Sequence, residues 1–463
     1  MSYDGWLFRL SSESTAIFRE DQQEITVSDR LLVLSGRVIK GPHELHQFQD
    51  AHEIVRVLME MSGPWSVVYF RPDLKRLFVG RDVFGRLSLV CAADLNDIVI
   101  AETVKSVPKD GWCEVPYAQI SCINTDNRSV ECSSYISEYP EGVMECWQKL
   151  FTSTVFRCVP IKNDLLQLSR NSSSDDDDVL NEFLERLVAS TSSMIPEDSS
   201  SLGVAFSGGV DSLLVAIALH KAYESERTID LVNVAFIRGC EHRSIVTDRQ
   251  RAITGFSFLR SKFPARRWRL IEADITKEEM EKNRVEHIVK AAAPASSVLD
   301  ESLACVLWFA LRGIGNDHES KREVRSEADV YFVGSGADEL FAGYARHRTR
   351  FQRDGEDPIA EECEAELRRL GSRNGGRDAR VAVILNKELR APLLHDDFVS
   401  WANAIPPRLK WNLSLPRGVG EKLIIRKVLA ALDAPHTAPK QAMQFGSGFV
   451  KMQSDKTIKV CPM

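Results

Sequence analysis

Val204-Ala-Phe-Ser-Gly-Gly-Val-Asp-Ser-Leu-Leu-Val215 is an apolar run that breaks into Ser-Gly-Gly-Val-Asp-Ser at 207–212 and resumes with helical spacing. It therefore predicts a strand, a phosphate-sized loop and a helix start. Gly208 and Gly209 remove the side chains that would keep backbone N–H groups from an oxyanion, and the helix points its positive dipole end into the same place. Ser207 and Ser212 add hydroxyls, and Val210 opens the helix. Asp211, an acid beside an anion site, makes sense if a divalent metal bridges carboxylate and phosphate oxygens. No Lys stands at the helix start, so the loop is not of the GxxxxGK[ST] type.

Around this loop the chain alternates apolar strands with helical patterns. Residues 202–206, 229–237, 268–275 and 330–334 read as strands; 179–195, 213–223, 249–263 and 277–292 read as helices. Alternation of this kind predicts a parallel, doubly wound sheet with ligands at the carboxyl ends of its strands. More helix is expected at 303–313 and 359–370. Before it, residues 6–135 read as short strands with turn punctuation (31–38, 66–70, 77–82, 87–93, 98–102 and 118–124), a sheet-rich unit whose clearest helix is 50–61 with Ile54, Val55, Leu58 and Met61 on one face. Between the two, 169–178 contains NSSSDDDD and predicts a solvated acidic linker.

The chain has 463 residues, enough for two or three domains, and 44% hydrophobic with 27% charged residues fit a globular protein. A net charge of −7 argues against nucleic acid or an anionic membrane as the main partner. No apolar run is long enough to span a bilayer, and the N-terminus lacks a basic and apolar leader, so a cytoplasmic location is expected. The ten cysteines contain no CxxC pair and read as reduced thiols.

A second Gly-rich turn follows the strand at 330–334: Val333-Gly-Ser-Gly-Ala-Asp-Glu-Leu-Phe-Ala-Gly-Tyr-Ala-Arg-His-Arg348. In a doubly wound sheet it faces the first loop, which makes Asp338 the natural second carboxylate, with Asp211, for a magnesium ion. Glu339 reads equally as a helix-start acid or as a functional group. Arg346 and Arg348 suit phosphates or nearby acids alike. Further on, LPRGVGEKLIIRKVL places Lys422 at a helix start, an unfavourable position for a cation unless an anion is near.

These stretches resemble a known family. The first loop is similar to the pyrophosphate loop of the N-type ATP pyrophosphatases, and 333–348 to the SGxGxDExxxGGY signature of asparagine synthetases. GPWSVVYF at 63–70 and GRDVFGRLSLV at 80–90 resemble the glutaminase domain of the class-B, glutamine-hydrolysing enzymes. KELRAPLL from Lys387 resembles a segment in which Glu388 and Arg390 form a structural pair, and PKQAMQFGSG at 439–448 matches the C-terminal segment. With the polar insert SRNGGRDAR at 372–380, the arrangement most resembles the asparagine synthetase domain-containing proteins, a divergent sister family.

The resemblance implies an α/β fold: an N-terminal glutaminase-type αββα sandwich remnant (1–168, degenerate class-II amidotransferase-like), the linker 169–178, and a doubly wound ATP pyrophosphatase domain of the adenine nucleotide alpha hydrolase type (179–463). It implies ATP and Mg2+ as cofactors, held by Ser207, Gly208, Gly209, Val210, Asp211, Ser212, Ala235, Gly334, Ser335 and Gly336, with Asp211 and Asp338 on the metal. Lys422 is implied as the catalytic lysine that neutralises charge in the adenylation transition state. The implied reaction is adenylation of a small-molecule carboxylate to AMP and pyrophosphate, then amidation, as in asparagine biosynthesis.

Four positions depart from the pattern. Ser2 stands where the glutaminase has its N-terminal Cys nucleophile, and Ser35-Gly36-Arg37 where its pocket has Asn-Gly-Glu; a dead glutaminase, and hence ammonia as nitrogen source, is expected. The acid of the Ser-Gly-Glu-Gly turn is Ser335. The loop that reads aspartate has become 293–303, with Asp300 and Glu301 where a carboxylic substrate wants cations. Two alternatives follow: a nucleotide-binding pseudoenzyme that engages a protein partner, or a ligase for a carboxylate other than aspartate.

Overall fold

In the computed structural model, residues 6–11, 15–19, 24–26, 31–35, 45–94, 97–104, 111–159, 162–169, 176–224, 226–237 and 246–453 are described. The protein is α/β with antiparallel, mixed and parallel sheet. Its first part is two six-stranded sheets. One runs in the spatial order 24–26, 15–19, 6–11, 97–101, 90–93, 113–114, and the other 153–158, 129–134, 119–124, 76–81, 66–71, 31–35. Side chains alternate across each strand. Val68 and Phe70 thus meet Phe8, Leu77, Val79, Ile98 and Ile100 between the sheets. Val67 and Tyr69 face outward under the helix Ala51–Met59. Asp50 caps that helix by accepting from His52 N, and Ile54, Val55, Leu58 and Met59 are its buried face.

The second part is a seven-stranded sheet in the order Glu323–Arg325, Ile314–Asp317, Arg267–Ile275, Thr228–Phe236, Ser201–Ala205, Val330–Phe332, Glu388–Arg390. The last five named are mutually parallel, and the first two form an antiparallel edge. Strand order reverses at Ser201–Ala205, whose sequence neighbour Thr228–Phe236 lies on one side and Val330–Phe332 on the other. The loop at 207–212 leaves the carboxyl end of this strand, which is the switch point where open α/β sheets bind ligands.

The helix expected at 277–292 is interrupted by a π-helical stretch, Arg284–Ile288. Part of the expected linker, 170–175, lies outside the described residues, and the helix Asp176–Ser193 already begins within it. The insert 372–380 is helical: the π-turn Gly371–Gly375 runs into the helix Gly376–Ile384, which packs between the two parts of the chain. Arg380 is fully buried there, donating to Glu114 at 2.8 Å and to the carbonyl of Ala292 at 3.1 Å. Burial would raise the Glu114 carboxyl, but Arg380 and then Arg81 prevail and hold it below its ordinary value. On another flank Asp396 accepts from Gly63 N and pairs with Arg86 at 2.7 Å. One apolar cluster runs through both parts, from Ile54 and Tyr117 to Leu214 and Leu367.

The cysteine expectation needs correction. Cys113 and Cys146 form a disulfide across 33 residues, while Cys122, Cys132, Cys158, Cys305 and Cys363 carry free thiols. No local spacing announces such a pair, because the fold alone brings a short strand beside the helix Val143–Lys149. Among the described residues no helix is long and apolar enough to cross a membrane.

Candidate active site

The loop 207–212 takes the shape its residues predict. Gly208 has φ +71°, and a Cβ there would lie 2.2 Å from the Ala252 nitrogen, so only glycine allows this approach to the neighbouring helix. Gly209 is the N-cap of the helix Val210–Ala222 and supplies no side-chain cap. The first-turn N–H groups thus receive no side-chain cap from this residue. Ser207 Oγ and Ser212 Oγ lie 3.3 Å apart at the mouth of this turn. Asn233 holds the strand end by donating to the carbonyls of Phe206 (2.9 Å) and Asp248 (3.3 Å), and Arg249 Nε donates to Asn233 in turn at 2.7 Å.

The second Gly-rich turn sits against the first. A Cβ at Gly334 would meet Asp211 Cβ at 2.7 Å, and Gly336 adopts φ +100° to start the short helix Ala337–Leu340. Asp211 and Asp338 thereby converge on one point. Lys422 Nζ lies there, 2.5 Å from Asp211 Oδ2 and 2.8 Å from Asp338 Oδ1, and its side chain is completely buried. Its backbone is left-handed (φ +55°) just before the helix Leu423–Ala431, a conformation a non-glycine residue holds only where its surroundings impose it. Ser335 is half-buried in the turn, and Ala235 is fully buried in a small apolar cluster with Ile237 and Val246.

A residue given no role from sequence completes the cluster. Lys440 Nζ lies 2.6 Å from Asp338 Oδ2 and 3.8 Å from Asp211 Oδ2. Its segment is anchored by Arg426, which donates to the carbonyls of His436 and Ala438, and by Phe236 N, which donates to Ser447 O. Burial would lower the Lys440 ammonium, but Asp338 and then Asp211 raise it above its ordinary value. Burial would likewise raise Asp338, yet Lys422 and Lys440 hold it well below the carboxylate range. No local pattern marks this lysine; its reason is charge balance, since two buried carboxylates require two cations. Lys440 is also the more accessible cation, with 29% of its side chain exposed against none for Lys422.

Beside Asp338, Glu339 is buried and accepts from Tyr344 OH at 2.5 Å. Burial and then the Asp338 charge push the Glu339 carboxyl up. Burial and then Glu339 push the Tyr344 phenol up. Arg346 and Arg348 pair with acids: Arg346 with Glu366, and Arg348 with Glu421 at 3.1 Å. Glu388 and Arg390 form the expected pair. Asp300 and Glu301 do not stand bare, since Arg377 meets Asp300 at 2.7 Å and Arg284 pairs with Glu301. Ser2 and Arg37 lie outside the described residues, while Ser35 Oγ donates to Glu102 at 2.8 Å.

Magnesium takes hard oxygen donors. Asp211 and Asp338 supply them, and Asp211 Oδ1 is buried with no hydrogen-bond partner among the described residues. No group of three or more His, Cys, Asp or Glu side chains that could hold a metal occurs among the described residues. The donor set therefore fits a metal that arrives with phosphate oxygens to complete its shell.

Comparison with known proteins agrees with this geometry. The family model for asparagine synthase matches residues 182–455, which hold the whole seven-stranded sheet and both lysines. The asparagine synthetase domain-containing protein 1 of Mus musculus is 31% identical over 89% of this chain and 82% of its own length. The chain belongs to the asparagine synthetase domain-containing protein family. The human member is 30% identical over 88% of this chain and 80% of its own. A putative glutamine-hydrolysing asparagine synthetase of Methanocaldococcus jannaschii is 27% identical, over 89% of this chain and 75% of that one.

Proposed function

We propose that this family member is an ATP-dependent, amide-forming ligase whose second part, of the ATP pyrophosphatase type, adenylates a carboxylate and then passes it to ammonia. The observation that carries the reading is the meeting, at the sheet's switch point, of an uncapped helix N-terminus, two convergent carboxylates and two lysines. The helix N–H groups with Ser207 and Ser212 would hold the pyrophosphate portion of ATP. Asp211 and Asp338 would hold magnesium, which supplies Lewis-acid polarisation of the phosphate oxygens when bound. Lys440 and Lys422 would face the charge that develops as pyrophosphate leaves, Lys422 after its carboxylates turn to the metal. The first part, of the glutaminase sandwich type, is a scaffold in this reading, because Ser2 and Arg37 replace the nucleophile and the ammonium-binding acid.

The neutralisation of Asp300 and Glu301 removes one electrostatic objection to an acidic substrate. Ser335, where the resemblance implies a carboxylate, favours a substrate other than aspartate, or the loss of turnover with nucleotide binding retained. The test is calorimetric titration of Mg-ATP into wild type and Asp211→Ala. Weakened binding in a variant that keeps a cooperative melt above the titration temperature supports the assignment; identical titration curves contradict it.

A further inference from the structure

The strand Ser153–Cys158 lies at the rim of its sheet: Ser129–Ser134 pairs with one side of it, and among the described residues no strand pairs with the other. Val159 N donates to the Ser134 carbonyl. Backbone groups alternate along a strand, so the N–H and C=O of Val155 and Arg157 point to that inner neighbour as well, and those of Thr154, Phe156 and Cys158 are left at the open edge. Side chains alternate too. Phe156 stands in register with Cys132 of the cluster between the sheets and leans on Tyr139, while Val155 stands beside Glu131 on the outer face. Val155 is 58% exposed and Phe156 38%. Because these neighbours point to opposite faces, a helix laid on either face would cover one and leave the other; a strand added at the edge covers both. The six residues hold no proline and no lysine, and no bulge breaks their register, so the edge lacks the usual guards against pairing. Arg157 and Glu131 are both exposed on the outer face, and neither side chain has an ion pair or hydrogen bond among the described residues.

We propose that a second copy of this chain occupies the edge, its own Ser153–Cys158 strand running antiparallel to the first about a two-fold axis through Phe156. In that register Phe156 exchanges both backbone hydrogen bonds with its copy, and Thr154 does so with the partner's Cys158. Arg157 then stands opposite the partner's Val155, with the partner's Glu131 one strand further on, about 10 Å away between Cα atoms. An arginine and a glutamate span that distance across a valine, and the symmetry makes the pair twice. A strand edge turned through a two-fold complements itself, donor to acceptor, and here the two unpaired charges do the same. The two sheets become one continuous sheet across the axis.

Sedimentation velocity on the full chain across the micromolar range tests this. Wild type should sediment as a dimer that dissociates on dilution. Arg157→Glu and Glu131→Arg should each weaken the dimer about tenfold or more, since by symmetry each turns two attractions into two repulsions. The double variant Glu131→Arg/Arg157→Glu should return to within about threefold of wild type, a rescue that a disturbed fold would not give. Phe156→Glu, which sets two carboxylates on the axis, should leave only monomer. A wild-type monomer overturns the proposal and leaves the edge to a strand of another protein. So does a dimer that withstands Arg157→Glu and Phe156→Glu, or a loss in both single charge variants that the double variant does not restore.

Discussion

Lys422→Met keeps the aliphatic stem and removes the charge between Asp211 and Asp338. The ammonium lies 2.5 and 2.8 Å from the two carboxylates on a side chain with no exposure, so water cannot replace it cheaply. Breaking a buried pair by removing one partner costs about 3–5 kcal/mol. Lys440, already 2.6 Å from Asp338 and 3.8 Å from Asp211, offsets part of this. A loss of about 3 kcal/mol is expected, which for a unit of this size lowers the melting temperature by about 5 °C. Neutralising an acid as well, in Asp211→Asn/Lys422→Met, should cost less than the two single losses together, with a coupling of about 1–3 kcal/mol. Magnesium added to Lys422→Met should restore part of the melting temperature, because a divalent cation can bridge the same carboxylates. Scanning calorimetry on the four proteins measures all of this. A drop below about 2 °C, the size expected of a solvated surface pair, would refute the reasoning.

Lys410 is fully buried, its Nζ has no hydrogen-bond partner among the described residues, and burial lowers its ammonium from 10.5 to about 7. The folded state favours the neutral amine, so the Lys410 contribution is whole above pH 10.5 and is lost as pH falls to 7. Lys410→Met should therefore stabilise by a few kcal/mol at pH 6 and by almost nothing near pH 10; a gain of equal size at both pH values, read by thermal melts, contradicts this. Gly375→Ala should destabilise by about 1–3 kcal/mol, although helix propensity alone predicts a gain of about 1, because its Cβ would fall 2.0 Å from the Gly85 carbonyl oxygen; urea unfolding gives the sign. Purified protein should release no glutamate from glutamine above a Ser2→Ala control, and release that depends on Ser2 would overturn the dead-glutaminase reading.

The strand, loop and helix around 207–212 were legible because apolar run, glycines and helical spacing are adjacent in sequence, and the paired turn at Gly334–Gly336 because a parallel sheet brings neighbouring strand ends together. Lys422 was legible as a cation at a helix start. Lys440 was not: 18 residues downstream, in irregular chain, only tertiary contact with Asp338 marks it. Asp300 and Glu301 looked repulsive because their partners, Arg377 and Arg284, lie 77 and 17 residues away. The insert 372–380 read only as polar and glycine-containing; that it is helical and packed against Gly85, Tyr117 and Glu114 follows from contacts across the fold. The Cys113–Cys146 bond was hidden for the same reason, since contact across the fold leaves no local period.

The central claim is tested most directly by incubating the full chain with ATP, Mg2+, ammonia and a panel of mono- and dicarboxylic acids, and following AMP and pyrophosphate together. The account predicts that at least one acid in the panel yields the two in equal amounts, and that Lys440→Ala lowers that turnover on the order of a hundredfold, as loss of one well-placed charge donor does. If no acid in the panel gives AMP and pyrophosphate with the wild-type chain, the protein is not a carboxylate-adenylating ligase for such acids and the account is contradicted.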